Sequence, residues 1–329
     1  MPPDLPIAVY RSLLSAAALA DRLLPAYDLP TGATCAFWSQ SINDTYLVRA
    51  GDQRWMLRIA PAGRRSLAQH DAELDLLRYL HRKGLTVSTP VPRRDGSFLT
   101  TLAAPEGQRL ATLFTVVPGA PFTPTEANSE RYGQAVALLH EATNDYALDP
   151  VVWVFETREL IDQPLALLQP WFAHRPRDFA VLTAVAERGG AAMASLPRTL
   201  LDYGLCHGDV NDNNIHLIGD EAWGMLDFEY VGKGWRIFDI ATFFSNQLVQ
   251  RGSSTETQGL LDAFLRGYEA VRPLSEAERA ALPAFVGLRQ LWLCGIGVTN
   301  QPGVGLGLFE EWLFERCLPL FRQIAGVGG

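Results

Sequence analysis

Lysine is nearly missing from this chain: Lys83 and Lys233 are the only two among 329 residues, although Lys and Arg together number 28. The basic charge is therefore arginine, and 36 acidic residues outweigh it to a formal net charge of -8. A nucleic-acid partner is excluded on that balance, because neutralising phosphates takes a clustered excess of Lys and Arg. Cysteine is also scarce. Cys35, Cys206, Cys294 and Cys317 show no C-x-x-C spacing for zinc and are too few for a disulfide framework in a chain this long. They are expected to be reduced packing residues. No uninterrupted apolar run reaches the roughly 18 residues of a membrane span, and only Arg11 precedes the short apolar run at 13–20, a poor fit to a signal peptide. The first hairpin has no G-x-G-x-x-G, and no Walker G-x-x-x-x-G-K-[ST] occurs. The acidic balance suits a cytoplasmic enzyme that handles small neutral or cationic molecules, and no membrane or nucleic-acid partner is expected.

What is present suits a folded enzyme. The chain is 48% apolar and 10% aromatic, and its length allows two domains with a sizeable core. Ile7, Tyr10, Leu14, Ala17 and Leu24 recur at helical spacing, which predicts an N-terminal amphipathic helix. Short β-rich runs follow at 45–48 and 55–59, joined as a hairpin across 50–53. A helix is predicted over 67–82, with Leu74, Leu77 and Leu80 inward and Gly84 as its stop. Segment 87–94 is extended around Pro90 and Pro92, and 98–102 and 110–117 read as two further strands. Pro118-Gly119 then ends the β-rich part. Helices are predicted near 126–144, 157–174, 178–194, 255–271, 275–292 and 308–324, with a single β-rich insertion at about 214–228. The expected fold class is α+β: a small β-rich lobe over 1–117, with an extra N-terminal helix, and a larger, mainly helical lobe over 118–329.

The densest polar cluster is Cys206-His207-Gly208-Asp209-Val210-Asn211-Asp212-Asn213-Asn214-Ile215. Six polar side chains bounded by the apolar Leu205 and Ile215 predict a loop held between ordered elements. An Asx-rich turn accounts for such a composition without any function. The following residues suggest more. Residues 214–218, a four-residue loop Gly219-Asp220-Glu221-Ala222 and residues 223–227 have the form of a hairpin. Facing Ile218 with Trp223 puts Asn214 opposite Asp227, with Asp209 on the adjoining loop. Hard oxygens grouped in this way suit Mg²⁺ held together with substrate phosphates. A carboxylate five residues earlier can face an acceptor hydroxyl, and phosphoryl transfer needs mainly such positioning and charge neutralisation.

On these residues the chain resembles the aminoglycoside phosphotransferase and choline kinase family, which has a protein-kinase-like bilobal fold. The likeness rests on H-x-D-x-x-x-x-N, here His207, Asp209 and Asn214, followed by the metal-binding Asp, here Asp227 in Leu226-Asp227-Phe228. The resemblance implies a nucleotide-binding lobe, a catalytic and acceptor-binding lobe, and ATP and Mg²⁺ as cofactors. It implies that Asp209 orients or deprotonates the acceptor hydroxyl and that Asn214 and Asp227 hold metal. His207 would brace the loop as a buried imidazole, and Asp239 would be the family's second Asp, which anchors that loop. Neither lysine lies in a strand, so the phosphate-anchoring cation is expected to be Arg58, with Glu73 on the next helix as its partner. Choline kinases resemble this chain in placing Arg there, and its planar fork suits phosphate. Ser41 and Asn43, within Gln40-Ser41-Ile42-Asn43-Asp44-Thr45-Tyr46, resemble the family's phosphate-covering loop. Segment 113–119 resembles the hinge, which puts adenine against backbone groups of Thr115 and Val117. The Gly-rich run 303–307 fits no phosphate motif and reads as loop.

The implied partner is a small-molecule acceptor. His207-Gly208-Asp209-x-Asn211-Asp212-x-Asn214-Ile215 resembles the hydroxylysine kinase branch, and Thr89-Pro90-Val91-Pro92 resembles bacterial homoserine-kinase-type members. Glu229 stands where Gly usually follows Asp-Phe, and its carboxylate can recognise an acceptor ammonium; Asp212 is a second acceptor candidate. Glu310, Glu311 and Glu315 read as a solvated face. The leading expectation is an ATP- and Mg²⁺-dependent kinase for the hydroxyl of a small amino-containing metabolite, an amino alcohol or a hydroxyamino acid. The alternatives are an aminoglycoside or other antibiotic kinase, a Ser/Thr protein kinase of the bacterial stress-response type, and a nucleotide-binding pseudokinase.

Overall fold

In the computed structural model, which describes residues 7–151, 153–199, 202–220 and 222–326, the chain divides into two units. One reaches to Arg82 and adds Val87–Val117; the other combines Lys83–Thr86 with the chain from Pro118 onward. The expected lobe limits at residues 1 and 329 lie outside the described residues.

The first unit begins with α1 (Ala16–Arg22), capped by Ser15, whose Oγ accepts the Ala18 N–H at 3.3 Å. The helix is shorter than its apolar spacing suggested, and Ile7 and Tyr10 stay exposed. The residues before the cap are drawn elsewhere: Arg11 donates to the Asp44 carboxylate and the Ser41 carbonyl, and Ser12 to Glu106. Five antiparallel strands follow: β1 (Thr34–Gln40), β2 (Asp44–Ala50), β3 (Gln53–Ile59), β4 (Thr100–Ala104) and β5 (Gly107–Thr115). Their order is β1-β2-β3-β5-β4. Between β3 and β4 runs α2 (Leu67–Arg82). Its start is closed reciprocally, Gln69 N–H to Ser66 Oγ at 3.2 Å and Ser66 N–H to Gln69 Oε1 at 2.9 Å. Leu74, Leu77 and Leu80 are buried. Segment 87–94 forms no strand, because Pro90 and Pro92 lack the donor a ladder needs; it makes single bridges from Pro90 to Phe114 and from Arg93 to Tyr27. The core joins Leu19, Leu23 and Leu24 to Tyr46, Val48, Leu57, Ile59 and Leu113.

The second unit contains, in order, β6 (Ala120–Pro121), α3 (Glu126–Ala142), β7 (Trp153–Phe155), α4 (Gln163–Leu168), α5 (Pro176–Ser195), β8 (Tyr203–Cys206), β9 (Ile215–Ile218), β10 (Ala222–Met225) and β11 (Gly232–Trp235). Helices α6 (Ile237–Arg251), α7 (Thr255–Glu269), α8 (Glu276–Val304), α9 (Leu306–Glu311) and α10 (Leu318–Ala325) complete it. The single β-rich insertion expected at 214–228 is thus corrected to two three-stranded sheets, β10-β9-β6 and β7-β11-β8. The sequence reading also lacked α6, whose first half is buried on every side and so shows no amphipathic period. The helix expected over 157–174 is broken into a π-helical turn at Arg158–Asp162, then α4, then a 3₁₀ turn at Gln169–Phe172; Pro164 and Pro170 sit at the breaks. Helix α8 runs past Trp292 to Val304, so the loop expected at 303–307 reduces to a break at Gly305, where φ is 97°. One 18-residue window of α8 is apolar enough to cross a membrane by composition, and 67% of it is buried within the chain. Glu310, Glu311 and Glu315 are exposed. All four cysteines are free, and three of them are buried.

Candidate active site

Strand β8 ends at Cys206 and feeds the polar loop. Gly208 there has φ 78°, and a Cβ on it would stand 2.2 Å from the Tyr230 carbonyl oxygen, so only glycine fits. Asp239, in the first turn of α6, anchors the loop: its Oδ2 accepts the His207 N–H at 2.7 Å and its Oδ1 the Gly208 N–H at 2.8 Å. His140 on α3 also meets Asp239 Oδ2 at 2.9 Å. Burial alone would raise the Asp239 carboxyl, but His140 and the backbone donors hold it below the usual range. Burial pulls His140 down to about 4 despite that carboxylate. The ring is therefore neutral. A carboxylate only accepts, so Nε2 carries the proton, and Nδ1 accepts from the Tyr268 hydroxyl at 2.9 Å. His207 is fully buried, which lowers its pKa. Its Nε2 donates to the Leu226 carbonyl at 2.9 Å, and its Nδ1 accepts the Asp209 N–H at 3.3 Å. The imidazole thereby ties the loop to the residue before Asp227.

Asn214 binds Asp209 twice, Nδ2 donating to the Asp209 carbonyl at 2.8 Å and to carboxylate Oδ2 at 2.9 Å. Both amide protons are thus committed, which leaves Oδ1 as the acceptor end. The expected hairpin register is corrected by one residue. Ile218 pairs with Ala222 across a loop over 219–221, of which Glu221 lies outside the described residues, and Asn214 stands opposite Leu226, whose N–H donates to its carbonyl at 3.0 Å. The second strand starts one residue sooner than expected, at Ala222, and Gly219 adopts φ 55° where the chain leaves the first strand. A one-residue slip reverses which face a side chain meets. Asp227 follows that pair with φ 55° and ψ 71°, the only non-glycine positive φ among the described residues, and it is exposed. Asn214 Oδ1 and the Asp227 carboxylate are hard oxygens of the kind that could hold a divalent cation. No group of three or more His, Cys, Asp or Glu able to hold a metal occurs among the described residues. An ion held by these two oxygens would take its other ligands from phosphates and water, as Mg²⁺ does.

Asp209 Oδ1 accepts from Arg289 Nη2 of α8 at 2.9 Å. Arg289 is 4% exposed, its Cζ lies 4.8 Å from the Trp292 ring centroid, and burial lowers its pKa while Asp209 opposes that. Glu229 is buried in the turn after Asp227. The structure gives the other acceptor candidate, Asp212, a different set of partners: its carboxylate accepts from Asn246, Gln247 and Arg251 of α6 at 3.0, 2.5 and 3.0 Å.

Within the first unit, Arg58 of β3 donates to Glu73 Oε1 of α2 at 2.7 Å, and Arg65 donates to Oε2 at 2.6 Å. Burial would raise Glu73, yet the two guanidinium groups hold it at about 2. Arg58 also lies over Phe114, 4.8 Å from the ring centroid. Ser41 and Asn43 occupy the β1–β2 loop, where the Ser41 N–H donates to the Asn43 carbonyl at 3.0 Å. The end of that loop is fixed by the fully buried pair Asp44 and Arg109, 2.6 Å apart. At the expected hinge the Thr115 N–H is taken by the Thr89 carbonyl at 2.9 Å, which leaves the Thr115 carbonyl as the backbone group that could face a base. Val117 is buried.

A profile of the phosphotransferase enzyme family matches residues 34–274, most of the chain. The chain belongs to that family. This phosphotransferase is 36% identical to an uncharacterized protein of Deinococcus radiodurans, over 95% of this chain and 90% of that one. It is 30% identical to a homoserine kinase of Gluconobacter oxydans, over 85% of each. Among solved structures it resembles an amicoumacin kinase in complex with AMP-PNP, Ca²⁺ and its ligand, with TM-score 0.76, 21% identity and coverage of 95% of this chain and 94% of that one. It also resembles a microcompartment-associated aminopropanol kinase, with TM-score 0.69, 23% identity and coverage of 94% and 95%. The phosphotransferase is an enzyme with an alcohol group as acceptor, and its fold is protein-kinase-like, with an antiparallel-sheet unit and a larger helical unit. Three residues escaped the reading of its sequence: Arg289, Arg65 and Asp44. The one available signal for Arg289 was a lone charge in the mostly apolar stretch 280–298, which calls for a partner but does not say which residue that partner is.

Proposed function

We propose that this phosphotransferase moves the γ-phosphoryl group of ATP, with Mg²⁺, to the hydroxyl of a small amino-containing metabolite, an amino alcohol or a hydroxyamino acid. The observation that carries this reading is the pair of hydrogen bonds donated by Asn214 Nδ2 to Asp209, which ties the candidate base and a candidate metal ligand into one group. The acceptor oxygen forms a bond to the γ-phosphorus while the bond from that phosphorus to the β–γ bridging oxygen breaks. The hydroxyl proton passes to Asp209, and ADP leaves. Asn214 and Asp227 would hold Mg²⁺, which when bound neutralises charge on the phosphates. Arg58, oriented by Glu73, would bind nucleotide phosphates, with Ser41 and Asn43 covering them and the Thr115 carbonyl and Val117 backbone meeting adenine. His207 and Asp239 keep the loop in shape. The buried Glu229 carboxylate supports an ammonium on the acceptor, and the relatives named for homoserine and aminopropanol are consistent with it. The acidic composition suits work in the cytoplasm.

An ATP-consumption screen against amino alcohols, hydroxyamino acids, sugars and aminoglycosides tests the proposal. Turnover with members of the first two classes is the expected result. Turnover confined to sugars or to aminoglycosides overturns it.

A further inference from the structure

Arg289 has more donors than the site, as described, employs. Its Nη2 meets Asp209, but its Nη1 is buried and has no hydrogen-bond partner among the described residues. A guanidinium N–H at this depth without an acceptor is costly. Two further buried donors without partners are joined to it through ring contacts: Nε1 of Trp292 and Nε1 of Trp153. The Trp292 ring lies beneath the guanidinium, its centroid is 5.5 Å from that of Trp153, and both indoles pack on Tyr230, at 5.1 and 5.6 Å. All three orphans of this cluster are donors. Arg289 supplies full positive charge, in fork geometry suited to a carboxylate. An amino alcohol, which offers a hydroxyl and an ammonium, would leave this set unsatisfied.

We propose that Arg289 receives a carboxylate of the acceptor, so that this enzyme prefers a hydroxyamino acid to the amino alcohol formed from it by loss of carboxylate. The inference rests on the reading of the enzyme as a kinase for small amino-containing alcohols and chooses between the two classes that reading allows. A site whose buried donors need an anion discriminates strongly against an analogue that lacks one.

The experiment compares matched pairs as acceptors in steady-state ATP-coupled assays: L-homoserine with 3-aminopropan-1-ol, L-threonine with 1-aminopropan-2-ol, and L-serine with ethanolamine. In the pair turned over best, the acid should show a kcat/KM higher by about 10- to 100-fold, the range expected for a charged hydrogen bond. Arg289→Gln should collapse that ratio toward one, chiefly through the KM of the acid, and Arg289→Lys should restore part of it. An amino alcohol used as well as its acid overturns the inference, as does an unchanged ratio in Arg289→Gln. If Arg289→Gln does not fold, the wild-type ratios still decide. Absence of turnover on both members of every pair defeats the parent reading and the inference with it, an outcome distinct from turnover that favours the amino alcohol.

Discussion

At Asp209 two hydrogen bonds hold the two carboxylate oxygens separately: Asn214 donates to Oδ2 and Arg289 to Oδ1. Asp209→Asn keeps the size of the side chain and loses the capacity to take a proton. Its kcat should fall about 10²- to 10⁴-fold, while ATP affinity measured by titration calorimetry stays at the wild-type value. Undiminished kcat would remove Asp209 from the role of base. The candidate residues His207, Asp209, Asn214 and Asp227 were legible in the sequence because one loop and one hairpin hold them at short, fixed separations. Arg289 was not, since it reaches Asp209 from 80 residues away along the chain and a contact at that distance leaves no local pattern. Arg65 was hidden for a different reason: Glu73 already had a plausible partner in Arg58, and nothing in composition signals that a carboxylate is shared by two cations.

Among the elements, α2 could be read to the residue because a reciprocal cap and an apolar stripe agree on its limits. The hairpin could be recognised but not registered, because its loop length depends on the backbone of Gly219. Strands β7, β8 and β11 escaped because they have three or four residues, and two of them contain glycine. The contact between α3 and α7 is the clearest case of an element pair governed by side-chain absence. A Cβ on Gly133 would stand 1.9 Å from the Phe264 carbonyl oxygen, and one on Gly267 would stand 1.8 Å from that of Glu130. Gly133→Ala should therefore destabilise the fold by about 3 kcal/mol through overpacking, read as a lowered denaturation midpoint. A midpoint equal to wild type would show that the two helices can part without cost. The neighbouring Tyr132 donates to the Asn211 carbonyl at 3.0 Å, so displacement of α3 also reaches the polar loop.

For the whole molecule, acid is the condition to which the buried network is most exposed. His70 in the first unit and His140 in the second are both pulled from 6.5 to about 4 by burial. A pKa depressed on folding means that the stabilising contribution is complete above 6.5 and is lost as pH falls through 4. Each histidine should thus contribute on the order of 3 kcal/mol at neutral pH that disappears by pH 4. Glu73, held at about 2, loses its contribution lower still, as pH falls from 4.5. Urea midpoints measured from pH 7.5 to 4 should decline steadily below 6.5; a flat profile down to pH 4.5 would contradict the neutral, hydrogen-bonded state of His140. The metal role proposed for Asp227 would set turnover against stability at one backbone position. Left-handed backbone at Asp227 costs a residue with a Cβ roughly 1 kcal/mol, so Asp227→Gly should unfold at higher temperature than the natural protein while transferring no phosphate. A library sorted only for heat resistance would drift toward glycine at 227 and enrich inactive enzymes. Sorting the same library for growth that depends on the kinase would purge them, and the frequency of glycine at 227 in the two pools would measure how far catalysis opposes folding here.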